Sequence, residues 1–259
     1  MNVVLRKIQS IIQFLSKYPP IGKFIASIFG VIEVPILELI YFIDKRIKPG
    51  SYQILMKNFF YFYKSKIIPL NVKIDSIPTF APTEEILGII RRVPAISIGY
   101  CYCRVKNKNC ENPIWTCIHI GTAKHLEELS KKIPLRTASI EEVEKLLYRA
   151  NELGLVHQLL TTPSPEYVYV ICNCCPCCCI MLRNAIDYGM HGVVLSSNFL
   201  VEVDRSKCIN CGKCSERCYF NAFTFVDGKT IFDVYKCTGC GLCVNSCSSN
   251  ALKLVRRNN

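Results

Sequence analysis

Apolar residues recur at helical spacing near the start of the chain. Ile8, Ile11, Ile12 and Leu15 share one face between Lys7 and Lys17, which predicts an amphipathic helix. Such a stripe serves either to pack on the rest of the protein or, with basic and aromatic neighbours, to rest on an anionic membrane surface. Past Pro82 the pattern becomes orderly. Thr83 can cap a helix with Glu84 and Glu85 in its first turn, ending before Pro94, and Ala95–Tyr100 reads as a short strand. Ser139 and Glu142 make a capping box. The helix behind it lines one face with Ile140, Val143, Leu146, Leu147, Ala150 and Leu153 and stops at Gly154. Tyr167–Ile171 is β-rich, and Phe223–Val226 and Thr230–Phe232 flank Asp227-Gly228, a hairpin turn signal.

Charge separates the first third from the rest. Of the net +12, residues 1–73 contribute +8 (11 Lys/Arg against 3 Asp/Glu) and the other 186 residues +4 (21 against 17). Charged residues and Pro35 interrupt every apolar run of this aromatic-rich segment. The longest stretch without Asp, Glu, Lys or Arg is the 16 residues Tyr167–Leu182, short of the roughly 20 a spanning helix needs. No transmembrane segment and no secretory leader are expected, so the chain is placed in the cytoplasm or peripherally at the cytoplasmic membrane face. Nothing resembles a nucleic-acid reader, and no nucleic-acid partner is expected.

Eighteen cysteines, all between Cys101 and Cys247, change the picture most. Neighbours as tight as Cys177–Cys179 cannot satisfy disulfide geometry among themselves without strain, so metal binding in a reducing compartment is the better reading. Cys208, Cys211, Cys214 and Cys218 follow C-x₂-C-x₂-C-x₃-C, and Cys237, Cys240, Cys243 and Cys247 repeat it 29 residues later. Gly212 and Gly241, Asn221 and Asn250, and Ala222 and Ala251 match at the same offset, which implies two half-units about a pseudo-twofold axis. Three cysteines of a compact loop present thiolates to one cubane, and the fourth reaches the other. Cys208, Cys211, Cys214 and Cys247 are therefore expected to bind one [4Fe–4S] cluster, and Cys237, Cys240, Cys243 and Cys218 a second. Two such clusters carry about −4 when oxidised, which leaves residues 74–259 near neutral. These residues resemble the bacterial-type dicluster ferredoxins over about 199–256, except that Tyr219 and Ser248 stand where that family has proline.

Ten cysteines remain: Cys101, Cys103, Cys110 and Cys117, then Cys172, Cys174, Cys175, Cys177, Cys178 and Cys179. If the second run stayed extended, Cys172, Cys174 and Cys178 would face one way and Cys175, Cys177 and Cys179 the other, with Pro176 turning the chain. The reading is at least one additional iron–sulfur cluster drawn from these ten, with a zinc site or metal-free thiols as alternatives. Arg104 is placed to bind an anion or raise a cluster's potential, or else to form an ordinary salt bridge; His119, His125, His157 and His191 are read as structural. The C-x-C-R segment, the Gly154–His157 stretch after a capped helix and the C-N-C-C-x-C-C-C run resemble a prokaryotic iron–sulfur group over roughly residues 80–256. That group's activity is unassigned, so the resemblance implies architecture and cofactor type rather than a reaction.

The fold class is therefore α+β in three parts: a basic amphipathic helical segment (1–80), a cysteine-rich α/β module (81–198) and a pseudo-twofold ferredoxin-like domain (199–259). The function expected is electron transfer to a redox partner protein, as a carrier or an oxidoreductase subunit. The alternatives are a redox enzyme whose unusual cluster is wired by the ferredoxin domain, and a redox or metal sensor. No GxGxxG or P-loop is present to bind a nucleotide.

Overall fold

Strand residues alternate between two apolar surroundings, and this alternation decides where Cys117, Cys172 and Cys174 point. The computed structural model describes residues 3–16, 18–48, 50–59, 63–70, 86–93, 95–120, 131, 133–161, 168–190 and 192–257. The helix capped by Thr83 therefore begins outside the described residues. The central sheet is built from β1 (Lys64–Ile67), β2 (Ile96–Tyr100), β3 (Trp115–Ile120), β4 (Leu135–Thr137), β5 (Val156–Thr161), β6 (Val168–Cys174) and β7 (Val194–Leu195). They lie in the order β4-β2-β3-β6-β5-β1-β7, and neighbours are antiparallel except β1 and β7. With helices on both faces, the molecule is α+β.

The helices are α1 (Val3–Ser16), α2 (Pro19–Phe42), α3 (Tyr52–Phe59), α4 (Ile86–Ile90), α5 (Tyr102–Asn107), α6 (Ile140–Glu152) and α7 (Ile180–Ile186). Ile86, Ile90, Val143 and Leu147 from α4 and α6 cover one sheet face, meeting Ile98, Ile118 and Ile171. Leu37, Ile40, Met56, Phe59 and Met181 from α2, α3 and α7 cover the other, meeting Val170, Cys117 and Cys174. On β6, Val170, Cys172 and Cys174 thus share a face opposite Ile171. The α6 cap forms as the sequence implies, with the Glu142 backbone N–H donating to Ser139 Oγ at 3.3 Å. Gly154 beyond it takes φ 78°, a left-handed conformation that a side chain would strain.

One feature departs from the sequence pattern. α2 continues through Pro35, because Leu37 and Ile40 just beyond it are fixed in the core and outweigh the lost hydrogen bond. Among the described residues no helix is long and apolar enough to cross a membrane. The stripe on α1 lies open: Ile8, Ile11 and Leu15 are exposed, as is Phe14.

The tail adds β8 (Phe199–Val203), α8 (Lys213–Glu216), β9 (Phe223–Val226), β10 (Lys229–Phe232), α9 (Leu242–Ser246) and β11 (Leu252–Arg256). β8 pairs with β11 and β9 with β10, the hairpin turning at Asp227 and Gly228, both at positive φ.

Candidate metal centres

The tail's internal repeat is visible in its backbone. α8 and α9 begin at Gly212 and Gly241, with φ 76° and 79°, and Asn221 and Asn250 hold φ 54° and 53°. Ala222 and Ala251 donate their N–H groups to Cys218 Sγ and Cys247 Sγ at 3.2 and 3.3 Å. Cys218 and Cys237 both lie within electrostatic reach of Cys240 and Cys243. Cys211 is exposed while Cys237 and Cys243 are buried, so one loop faces solvent and the other faces the protein. Burial pushes the Cys240 thiol up to about 12, so loading metal there must release protons. Soft thiolates, close backbone approach and N–H···S donors are the donor chemistry that iron–sulfur clusters require.

The ten middle thiols fall into two groups. Cys101 interacts with Cys103 and Cys117, Cys117 with Cys172, Cys172 with Cys174, Cys174 with Cys179, and Cys179 with Cys103. These six close a ring, fed by the start of α5, by β3, by β6 and by the N-cap of α7. Hydrogen bonds from neighbouring thiols, Cys103 first, hold Cys101 and Cys179 well below the ordinary thiol range. Gln158 donates to Cys179 Sγ at 3.6 Å and accepts from Ser65 Oγ at 2.7 Å. The ring lines a cavity of about 80 Å³, shared with Tyr100, His119, Gln158 and Met181.

Cys110, Cys175, Cys177 and Cys178 form the second group, with all four sulfurs within 4.8 Å of one another. Cys110 Sγ stands 3.6 Å from Cys175 Sγ and 3.8 Å from Cys178 Sγ. The Asn109 backbone N–H donates to Cys178 Sγ at 3.3 Å, and Asn112 Nδ2 to Cys110 Sγ at 3.4 Å. Burial opposes ionisation of Cys110, but hydrogen bonds from Asn112, Cys177 and Cys175 together bring the thiol down to about 7.

The alternation expected along Cys172–Cys179 therefore needs one correction. Cys179, not Cys178, joins Cys172 and Cys174. The chain leaves β6 into a turn over Pro176–Cys178, closed by the Cys179 N–H on the Cys175 carbonyl at 3.0 Å. A turn reverses the facing that an extended strand would keep.

Arg104 joins the two groups. It is 2% exposed. Its Nε donates to Cys175 Sγ at 3.4 Å, one Nη to the Pro113 carbonyl at 2.5 Å and Thr116 Oγ1 at 2.6 Å, and the other to the Asn173 carbonyl. Its donors are all directed into the protein, one at a thiol sulfur and the others at oxygens. His157 is buried, which pushes it down to about 4, and its Nδ1 meets Asn173 Oδ1 at 2.6 Å; the ring stays neutral. His119 lines the cavity, while His125 and His191 lie outside the described residues.

Tyr219 carries a contact that sequence reasoning missed. Its phenol lies in the electrostatic reach of Cys175, Cys177 and Cys240. With Phe220 and Cys240 it packs against the core that contains Cys101, Cys117, Cys174 and Cys179. The only signal was the tyrosine in place of proline after Cys218. Asn109, Asn112 and Gln158 were missed as well; two amides flanking Cys110 were the available clue.

Residues 200–248 match the family described as 4Fe-4S dicluster domain. This part of the chain is a 4Fe-4S ferredoxin-type domain, and the protein is an iron–sulfur electron-transfer protein. No curated protein matches the chain.

Proposed function

We propose that the protein carries electrons between a partner docked at the exposed Cys211 loop and a third iron–sulfur centre in the six-cysteine ring. Cys208, Cys211, Cys214 and Cys247 hold one [4Fe–4S] cluster, and Cys237, Cys240, Cys243 and Cys218 the other. When bound, such clusters supply one-electron redox chemistry. The single observation that carries this reading is the bridge at Tyr219, Phe220 and Cys240, which brings the inner ferredoxin loop against the core holding the ring. The test is iron and acid-labile sulfide analysis with redox-poised EPR on anaerobic, full-length protein. More sulfide than two cubanes hold, with a third reducible signal, is expected. Sulfide for two cubanes alone would overturn the third centre.

The cavity beside the ring favours a second reading, a redox enzyme acting on a small molecule there. A ring-cluster signal that shifts when small thiols or anions are added would select the enzyme; an unchanged signal selects the carrier.

We also propose peripheral contact of α1 with an anionic membrane surface. Ile11 and Phe14 are each 58% exposed beside an exposed Lys7, and residues 1–73 hold most of the excess positive charge.

A further inference from the structure

Cys110, Cys175, Cys177 and Cys178 differ in geometry from the other thiol groups. A single ion with metal–sulfur bonds of about 2.3 Å lies at the centre of a tetrahedron whose edges are about 3.8 Å. The two separations from Cys110, 3.6 and 3.8 Å, match that edge, and no pair in the group exceeds 4.8 Å. A cubane arranges its ligands otherwise. Each thiolate binds its own iron and points away from the centre, so the sulfurs stand farther apart than around one ion. The ferredoxin loops provide an internal comparison. Among the described residues, the four middle thiols form the metal-ligating group this close, and the eight thiols spaced for cubanes do not.

The surroundings fit a small anionic centre. Four thiolates around a divalent ion carry a net charge of −2. Buried Arg104 on Cys175, the Asn109 backbone N–H on Cys178 and Asn112 on Cys110 all direct positive charge or donor hydrogens at the sulfurs. The two chain segments are also fixed by groups other than sulfur. Asn107 Nδ2 donates to the Cys178 carbonyl at 2.9 Å and Asn109 Nδ2 to the Cys177 carbonyl at 2.8 Å. The loop bearing Cys110 is thus pinned to the turn bearing the other three, and the close approach of the thiols does not depend on any one sulfur.

We infer that Cys110, Cys175, Cys177 and Cys178 bind one tetrahedral, thiophilic metal ion, zinc or ferrous iron, distinct from the iron–sulfur clusters. Tetrahedral tetrathiolate sites select these metals. The ion staples the loop after α5 to the turn after β6, the turn that decides which cysteines reach the ring.

The test uses anaerobic, full-length protein. Metal analysis should find one zinc, or one iron unaccounted for by sulfide, per chain. Zinc-edge X-ray absorption should show a single shell of four sulfurs; if the ion is iron, Mössbauer spectroscopy should show an isolated high-spin ferrous site. Cys110→Ser and Cys177→Ser, at the two partly exposed positions, should each lose that ion and keep the wild-type sulfide content. Cys103→Ser, in the ring, should keep the ion whatever happens to the sulfide, so failure of the third cluster and failure of this site are separate results. Loss of sulfide in Cys110→Ser, or wild-type protein with no ion beyond cluster iron, would overturn the inference. If a variant does not fold, the wild-type spectra decide.

Discussion

Asn210 and Gly239 occupy equivalent positions in the two ferredoxin half-units, both in the left-handed region at φ 51° and 69°, for opposite reasons. Asn210 is used for its side chain, whose Oδ1 accepts the Thr230 backbone N–H at 3.1 Å. Gly239 is used for having none, since a Cβ there would run into the Phe199 carbonyl and Ser197 Oγ. Asparagine tolerates the left-handed region well enough to serve the first position, and only glycine fits the second.

Gly239→Ala is therefore expected to cost about 2 kcal/mol or more, from left-handed strain plus a clash with backbone. Sulfide analysis should show the inner cluster depleted first. A variant with the wild-type melting temperature and full sulfide would contradict the role given to this glycine.

Tyr219→Leu should leave iron and sulfide content intact while slowing electron exchange between the ferredoxin domain and the ring several-fold. Loss of the aromatic contact should also lower stability by about 1–3 kcal/mol. Flash reduction with spectral separation of the centres provides the measurement; unchanged exchange would remove Tyr219 from the path.

His157 gives a pH dependence of known sign. Burial lowers its folded-state value from 6.5 to about 4, so between these values the unfolded chain binds more protons than the folded one. Stability then rises with pH across the window, is fully present above about 6.5 and is lost on acidification, by up to about 3 kcal/mol. Melting temperatures of wild type and His157→Gln between about pH 7 and pH 5 should show the steeper fall in the wild type. Parallel curves would exclude His157 as the cause.

Ile11→Glu combined with Phe14→Glu should weaken sedimentation with anionic vesicles by about tenfold or more, since each side chain stands to bury roughly 1.5–3 kcal/mol of apolar surface. Folding should be unaffected, because both residues are exposed. Equal sedimentation of wild type and variant would leave α1 without a membrane role.

What the sequence disclosed depended on how local the determinant was. The cap at Ser139, the hairpin at Asp227-Gly228 and the doubled cysteine spacing each sit within a few residues, where backbone chemistry decides the outcome. The division of the ten middle thiols does not. It turns on one reversal after Pro176 and on β3, β6 and the loop after α5 meeting in space, none of which leaves a periodic trace. β1 is similar: Lys64–Ile67 lies far from its partner β5 in sequence, and only the closed sheet brings them together. Tyr219 was visible as a departure from a family's usual proline, but its two neighbours were not.

Cys174 and Cys175 are consecutive, yet one belongs to the ring and the other to the group of four. A single peptide bond sets the spacing of these neighbouring sites, and Arg104 donates on either side of it, to the Asn173 carbonyl and Cys175 Sγ. Because Asn107 and Asn109 hold the turn by its carbonyls, either site can be emptied while the thiols of the other keep their places. One peptide bond thus keeps two chemically different metal sites at a fixed spacing while leaving each to fill on its own.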